Sequence, residues 1–499
     1  MIWQGIERAL ISLLESGSAL AQLSRENPRV FGLLLGMGNH LYDPRKKEKI
    51  FLSNQDRIKH LYVLGATGSG KTKLIEYFIR QDIQAGRGFC LLDPHGDLSN
   101  SILQYLAALA VEQDSLPFLE NLSNKLIIIE PFNQEGAVGF NPLETRRYSA
   151  FAQASELMGI FKKVWQDAHW GPRMEELLRN SFVTLSENGL TLLETPRLLT
   201  DPAFRERMIQ GLKDEAARDY WLTRYHVLSD KMQAVYREPV LNRMSVFIGD
   251  PSMRIMLGQA RSTIDFRQIM DSGKWLIINL SKGQLRENAY LLGSLLIGKL
   301  KLAAMTRAEL PEKQRTPFYL FIDEFQNFIS EDFETILSEA RKYGLGLTLA
   351  HQNLDQIDHK LQASILGNVG AQVVFRLSHH DAALIAQEMD PKARPIIEKG
   401  LIDFKVGQAY AKLRGEKPRL LRTMHVSAIN QNKAVVEIIR EISFVNYTRS
   451  RREVEVEIEK RRTAFSPRVG SLDATFQRRQ TIRPGVAPLN EESEGWNGW

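Results

Sequence analysis

Short unbroken apolar runs punctuate the chain at Leu61–Leu64, Phe89–Leu92, Leu126–Ile129, Trp275–Ile278 and Phe318–Ile322. Each ends on glycine, an acid or asparagine; two further largely apolar runs, Leu347–Ala350 and Ala371–Phe375, end on His351 and Arg376. Such runs predict strands covered on both faces, as in a parallel sheet. Between them apolar positions recur at helical spacing, from Lys73 to Gln84 with Gly86 as a stop, and again from Tyr290 to Arg307. Strand and helix in alternation predict an α/β fold built on a mostly parallel twisted sheet flanked by helices. A final pair, Gly407–Leu413 and Arg419–Thr423, is expected to close the sheet.

Residues 147–265 break this rhythm. Phe151, Ala154, Leu157, Met158, Phe161, Val164 and Trp165 keep helical spacing, and Pro172 opens a second helix with Met174, Leu177, Leu178 and Phe182 on one face. Asp201-Pro202 reads as an N-cap followed by proline at the first helical position. Strand signals are scarce, so the segment is predicted to be an all-α insertion, a compact lobe separable from the sheet. Trp165, Trp170 and Trp221 are read as its core rather than as a stacking platform for nucleic acid.

The ends differ from the middle. Residues 1–45 are expected to be a helical extension, with Ile2, Ile6, Leu10, Leu13, Leu14 and Leu20 at helical spacing, and Asp43-Pro-Arg-Lys-Lys-Glu-Lys49 an exposed loop. The α/β core is then expected over 46–146 and 266–430, with a helical, basic segment over 431–464. Residues 445–483 hold ten Lys/Arg against five Asp/Glu, and no periodic pattern follows Phe465, so 465–499 is expected to lack fixed structure. No stretch reads as a membrane span; near the N-terminus the cleanest apolar run, Val30–Met37, is short and broken by glycines. The single cysteine, Cys90, lies inside an apolar run and excludes an intramolecular disulfide. A formal charge of +6 permits a nucleic-acid partner without arguing for one.

The chemistry is concentrated in Gly65-Ala-Thr-Gly-Ser-Gly-Lys-Thr72, which follows an apolar run and precedes a helix. That context is what a phosphate-binding loop requires. Gly65, Ala66, Thr67, Gly68, Ser69 and Gly70 form the cradle, Lys71 reaches the β- and γ-phosphates, and the Thr72 hydroxyl completes a Mg²⁺ shell. ATP with Mg²⁺ is the expected ligand. The run Phe318–Ile322 closes on Asp323-Glu324, the second half of a hydrolytic site: Asp323 holds Mg²⁺ and Glu324 orients and deprotonates the attacking water. Asp93, also at a strand's carboxyl end, could serve metal or water, or could cap the next helix.

Six pieces carry a resemblance: the loop Gly65–Thr72, Asp93-Pro-His-Gly-Asp97, Gly139-Phe-Asn-Pro142, Ile322-Asp-Glu-Phe325, Ala340-Arg-Lys-Tyr-Gly344 and Ala350-His-Gln352. In this order, over about residues 50–425, they resemble the FtsK–HerA superfamily and, within it, the conjugative coupling proteins of type IV secretion. The resemblance implies a RecA-like P-loop ATPase core with an inserted helical domain, assembled as a ring, usually a hexamer, that translocates DNA. It also implies that Gln352 senses the γ-phosphate and that Arg341 serves the neighbouring subunit as an arginine finger, with Arg376 the other candidate. Implied partners are a relaxase or secretion-channel proteins. Coupling proteins usually begin with transmembrane helices, whereas here none is read. That leaves room for a soluble, cytoplasmic HerA-like motor working with a nuclease, with at most peripheral membrane contact, or for an ATP-bound substrate receptor that hardly turns over.

Overall fold

The computed structural model describes residues 32–40, 43–112, 116–165, 170–329 and 333–464. The expectations for the helix over 2–24 and for the tail beyond 465 lie outside the described residues.

The strands are β1 (Leu33–His40), β2 (Asp43–Leu52), β3 (Leu61–Leu64), β4 (Gly88–Asp93), β5 (Leu126–Ile129), β6 (Gly136–Val138), β7 (Trp275–Asn279), β8 (Phe318–Ile322), β9 (Leu345–His351), β10 (Ala371–Val374), β11 (Gln408–Leu413), β12 (Arg419–Thr423) and β13 (Thr448–Ser450). Eleven of them form one sheet in the order β2-β1-β12-β11-β10-β3-β9-β8-β4-β7-β5. From β10 to β5 every neighbour is parallel. The fold class is therefore α/β, with an antiparallel wing added to a parallel sheet. In β3 and β4 the side chains alternate between two apolar layers: Tyr62, Leu64, Cys90 and Leu92 enter one, and Leu61, Val63, Phe89 and Leu91 the other. Both faces are covered, so the runs carry no polar alternation.

One face is covered by α1 (Lys71–Ala85) and α2 (Asp97–Glu112), whose Leu74, Ile75, Phe78, Ile102 and Leu106 are buried. The other face meets a helical region that includes α3 (Ala150–Val164), α4 (Pro172–Glu187) and α5 (Asp230–Ile248), together with α6 (Asn288–Met305). Among the described residues, 147–265 contain helices and turns and no strand. Their apolar side chains, however, belong to the same continuous cluster as that sheet face, through α6. The expected lobe therefore shares its core with the sheet by way of α6 instead of closing a core of its own. Trp221 is 1% exposed and its indole N–H donates to Thr184 Oγ1 at 2.8 Å, so it is core.

Two further expectations fail at the start of the chain. Residues 33–52 are not extension and loop but the β1–β2 pair, so the sheet begins well before residue 46 and β11–β12 do not close it. The glycines that break the apolar run are what allow the pair. Gly36 has φ 156 and a side chain there would meet the Arg422 carbonyl, and one at Gly38 would strike Ile50. The charged sequence of β2 and its Pro44 suit an open sheet edge. The pair is held against α1, where Leu34 N–H donates to Gln81 Oε1 and Gln81 Nε2 donates back to the Leu34 carbonyl.

The helix over Asn288–Glu309 is long and apolar enough to cross a membrane, yet 78% of its apolar window is buried between sheet and lobe. A helix apolar on every side is what a core position demands.

The chain ends with α7 (Lys433–Tyr447), which packs Val435, Val436, Ile439 and Ile442 beside β5 and accepts from Ile128 N–H through Ser443 Oγ. After β13 pairs with β6, α8 (Arg451–Ala464) crosses to the helical region. There Arg461 bonds Glu194 and the Gly258 carbonyl, and Glu457 accepts from Ala260 N–H.

Candidate nucleotide-hydrolysis site

The site forms where β3, β9 and β8 end side by side. Between β3 and α1 the loop 65–70 is fixed from three directions. Gly65 N–H donates to the His351 carbonyl at 3.3 Å, Ala66 N–H to the Arg376 carbonyl at 2.8 Å, and Ser69 N–H to the Ala66 carbonyl at 3.2 Å. Gly68 and Gly70 sit at φ 72 and 117, where a side chain is strained, and a Cβ at Gly65 would lie 2.6 Å from Phe375 Cβ. Lys71 Nζ donates to the Gly65 carbonyl at 2.5 Å and reaches Ala66 O at 3.3 Å. Burial lowers its pKa, with Glu324 and Asp323 pulling the other way. Ser69 Oγ is buried in the loop with no partner among the described residues, an orphan that a phosphate oxygen would satisfy.

Asp323 and Glu324 follow β8. Asp323 Oδ2 accepts from Thr72 Oγ1 at 3.2 Å, which joins the two halves of the site across 251 positions of sequence. The Asp323 carboxyl is 4% exposed, and burial, then Glu324 and Asp93, push its pKa up to about 6 despite Lys71. A buried acid so poorly compensated fits a cation-binding duty. Together with the Thr72 hydroxyl it is the donor set Mg²⁺ uses when phosphates and water supply the rest. No group of three or more His, Cys, Asp or Glu that could hold a metal alone exists among the described residues.

Glu324 stands in the left-handed region at φ 50, ψ 47. A non-glycine residue there is strained by about 1–3 kcal/mol and needs surroundings that hold it. Two amides do so. Gln352 Nε2 donates to Glu324 Oε1 at 2.8 Å, and Gln326 Nε2 donates to Oε2 at 2.8 Å. Gln352 also accepts from Thr67 Oγ1 at 2.8 Å. Because β9 lies between β3 and β8, its last residues bridge the phosphate loop to the acid. Gln326 escaped the sequence reading; its only signal was its place two residues after Glu324.

The alternatives left open for Asp93 resolve towards capping. Its carboxylate accepts from His95 N–H at 3.0 Å, Gly96 N–H at 2.9 Å and Ser99 N–H at 2.7 Å, at the start of α2. His351, beside Gln352, is fully buried and bonded to the Tyr62 hydroxyl. Burial and then Lys71 lower its pKa to about 3, so it stays neutral. The Gly139–Pro142 motif is a stitch in the framework. Asn141 Nδ2 donates to the carbonyls of Leu190 and Ala260 while its N–H donates to Ser262 Oγ, tying both ends of the helical region together.

Arg341 is not brought to the site of its own chain. It is exposed, in the turn before β9, whose seven residues separate it from Gln352 by about 20 Å at roughly 3.3 Å each. No ion pair of its guanidinium exists among the described residues, and Glu334, on the helix that precedes it, pairs with Lys360. Arg376 holds Ala66 through its backbone and has an exposed side chain.

Fold and site together define the P-loop nucleotide-binding class. Residues 47–389 match the family of the type IV secretion-system coupling protein DNA-binding domain, and the chain belongs to that family. It is 21% identical over 386 residues to the type 4 coupling protein DotL of Legionella pneumophila, covering 67% of this chain and 49% of the relative. It thus spans about half the length of that curated relative. Among solved structures it is similar to the bacterial conjugative coupling protein TrwB lacking its first 70 residues, at 17% identity and TM-score 0.54, covering 84% of this chain and 97% of that one. It is similar also to TrwB in complex with the ATP analogue ADPNP, at 18% identity and TM-score 0.51, covering 81% and 97%. At these identities the likeness is one of fold.

Proposed function

We propose that this chain is the ATP-driven motor of a type IV secretion coupling protein, a ring, hexameric by family likeness, that moves DNA with or without a bound relaxase towards a secretion channel at the inner face of the membrane. The observation that carries the catalytic part is the bridge Thr67–Gln352–Glu324, which ties the phosphate loop to the acid. A receptor that merely held ATP has no use for a strained acid gripped by two amides. TrwB with ADPNP and the family's DNA-binding domain support ATP and DNA as ligands.

The residues divide the work. Loop amides and Lys71 draw the triphosphate in and offset its charge. Thr72 and Asp323 would hold Mg²⁺, which would supply further charge neutralisation at the phosphates. Glu324 takes a proton from the attacking water, and its fixed carboxylate loses little freedom in doing so. Gln352 binds the acid on one side and Thr67 on the other, so a phosphate that displaces the Thr67 contact moves the acid's partner. Arg341, exposed and distant from its own site, serves the site of the next subunit. The family match favours a secretion partner over a nuclease.

The test is ATP hydrolysis by the purified protein with and without DNA, followed by displacement of a bound obstacle from a DNA substrate. Stimulation by DNA and directional displacement are expected. Binding of ATP with no turnover under any DNA would replace the motor reading by that of a receptor.

A further inference from the structure

The phosphate loop has two flanks. On the β9–β8 flank stand Gln352, Glu324 and Asp323, which address the terminal phosphate and the water. On the opposite flank, beyond β10, a turn at 405–408 is fastened to the loop. Gly407 N–H donates to the Ser69 carbonyl at 3.0 Å, and Thr423 N–H donates to the Gly407 carbonyl at 2.9 Å. Lys405 N–H donates to Gln408 Oε1 at 2.9 Å, and Gln408 N–H returns a bond to the Lys405 carbonyl at 3.0 Å. Gly407 takes φ 80, which lets the turn close. Its nitrogen lies 3.4 Å from where a Cβ on Gly70 would be, so a side chain there would press on the turn. At the tip of this braced turn Val406 is 72% exposed. A lone surface valine is ordinary. This one is held rigid beside the phosphate loop on the flank that the hydrolytic residues leave free.

A triphosphate gripped by the loop with its γ end towards Glu324 must send its nucleoside end out on the other flank. We propose that Val406 is the apolar wall against which the ribose–base end of the bound nucleotide rests. This rests on the reading of the site as a nucleotide hydrolase. An apolar side chain on a rigid backbone suits the flat face of a base, and its exposure is then relieved by the ligand.

The experiment compares ADP, ATP and inorganic tripolyphosphate as competitors of a fluorescent ADP on the full chain. Tripolyphosphate carries the phosphates without the nucleoside. Val406→Ser, which removes the apolar surface without adding charge, is expected to weaken ATP and ADP about tenfold, the size of a lost apolar contact, and to leave tripolyphosphate unchanged. That unchanged arm also shows that the variant folds. In Val406→Trp, the indole emission should change on adding ADP and not on adding tripolyphosphate. Equal affinity of Val406→Ser and the parent for ATP overturns the proposal, and so does parallel loss of tripolyphosphate, which would mean that the turn only shapes the loop. If the parent itself binds neither ATP nor tripolyphosphate, the nucleotide-hydrolase reading fails, a result distinct from either of these.

Discussion

Glu324 and Lys71 touch different atoms, so their loss should differ in kind. Lys71→Ala is expected to abolish hydrolysis through loss of phosphate binding. Glu324→Gln should keep ATP affinity and lower turnover by about 10²–10⁴, measured by steady-state hydrolysis beside equilibrium binding. Gln352→Ala removes one of the two amides on Glu324 and is expected to lower kcat about a hundredfold with little change in KM; an unchanged kcat would show that Gln326 alone suffices. Asp323 makes a pH prediction. Its folded pKa, about 6, lies above the ordinary 3.8. Between those values the folded site keeps a proton that the unfolded chain has released, so stability of the nucleotide-free protein falls as pH rises through the window and stays lower above it. Asp323→Asn should therefore raise the melting temperature at pH 7.5, by an amount that shrinks towards pH 4, while hydrolysis is lost. Spacing in the sequence sufficed to place Lys71 and Thr72 at the head of the helix that follows the loop, and Asp323 and Glu324 just past a strand end, because both placements follow from local pattern. It could not settle Asp93, whose duty depends on where the amides of 95–99 point.

At the scale of elements, the framework depends on a few buried polar ties. Asn141→Ala strands the carbonyls of Leu190 and Ala260, and unsatisfied buried acceptors cost about 1–3 kcal/mol. A fall of that size in unfolding free energy is expected, with faster hydrogen exchange over 186–192 and 258–263 and nucleotide affinity unchanged. A stability equal to the parent's would mean that water replaces the amide. The strands of the parallel sheet and the helices α1, α3, α4 and α6 were legible because each is amphipathic or wholly apolar over its length. The β1–β2 pair was not, because its glycines answer to close approach by β12 and Ile50, and its charges to an open edge. Both are facts about neighbours distant in sequence.

At the scale of the molecule, among the described residues the site within one chain has Lys71 and no arginine finger in place, and Arg341 stands at the far end of β9. A ring would bring Arg341 of one subunit to the phosphates of the next, where such a group is worth about 10³–10⁵ in rate. Lys71→Ala and Arg341→Ala proteins should each be nearly inactive, and mixing them should restore part of the hydrolysis, since the mixed ring holds sites with a good loop and a good finger. No recovery despite demonstrated co-assembly would turn attention to Arg376, which sits by the loop of its own chain. The sequence by itself determined the phosphate loop, the acidic pair, the α/β class and the helical character of 147–265, because these follow from local spacing and from runs whose length fits one element. Only the tertiary structure decided that Gln352 and Gln326 grip Glu324, that Asp93 caps a helix, that the helical region shares one core with the sheet, and that an apolar helix belongs inside the protein. Each of these depends on which distant segments the sheet order sets side by side, and that order, β3-β9-β8, is the outcome of packing the whole chain rather than a property of any stretch of it.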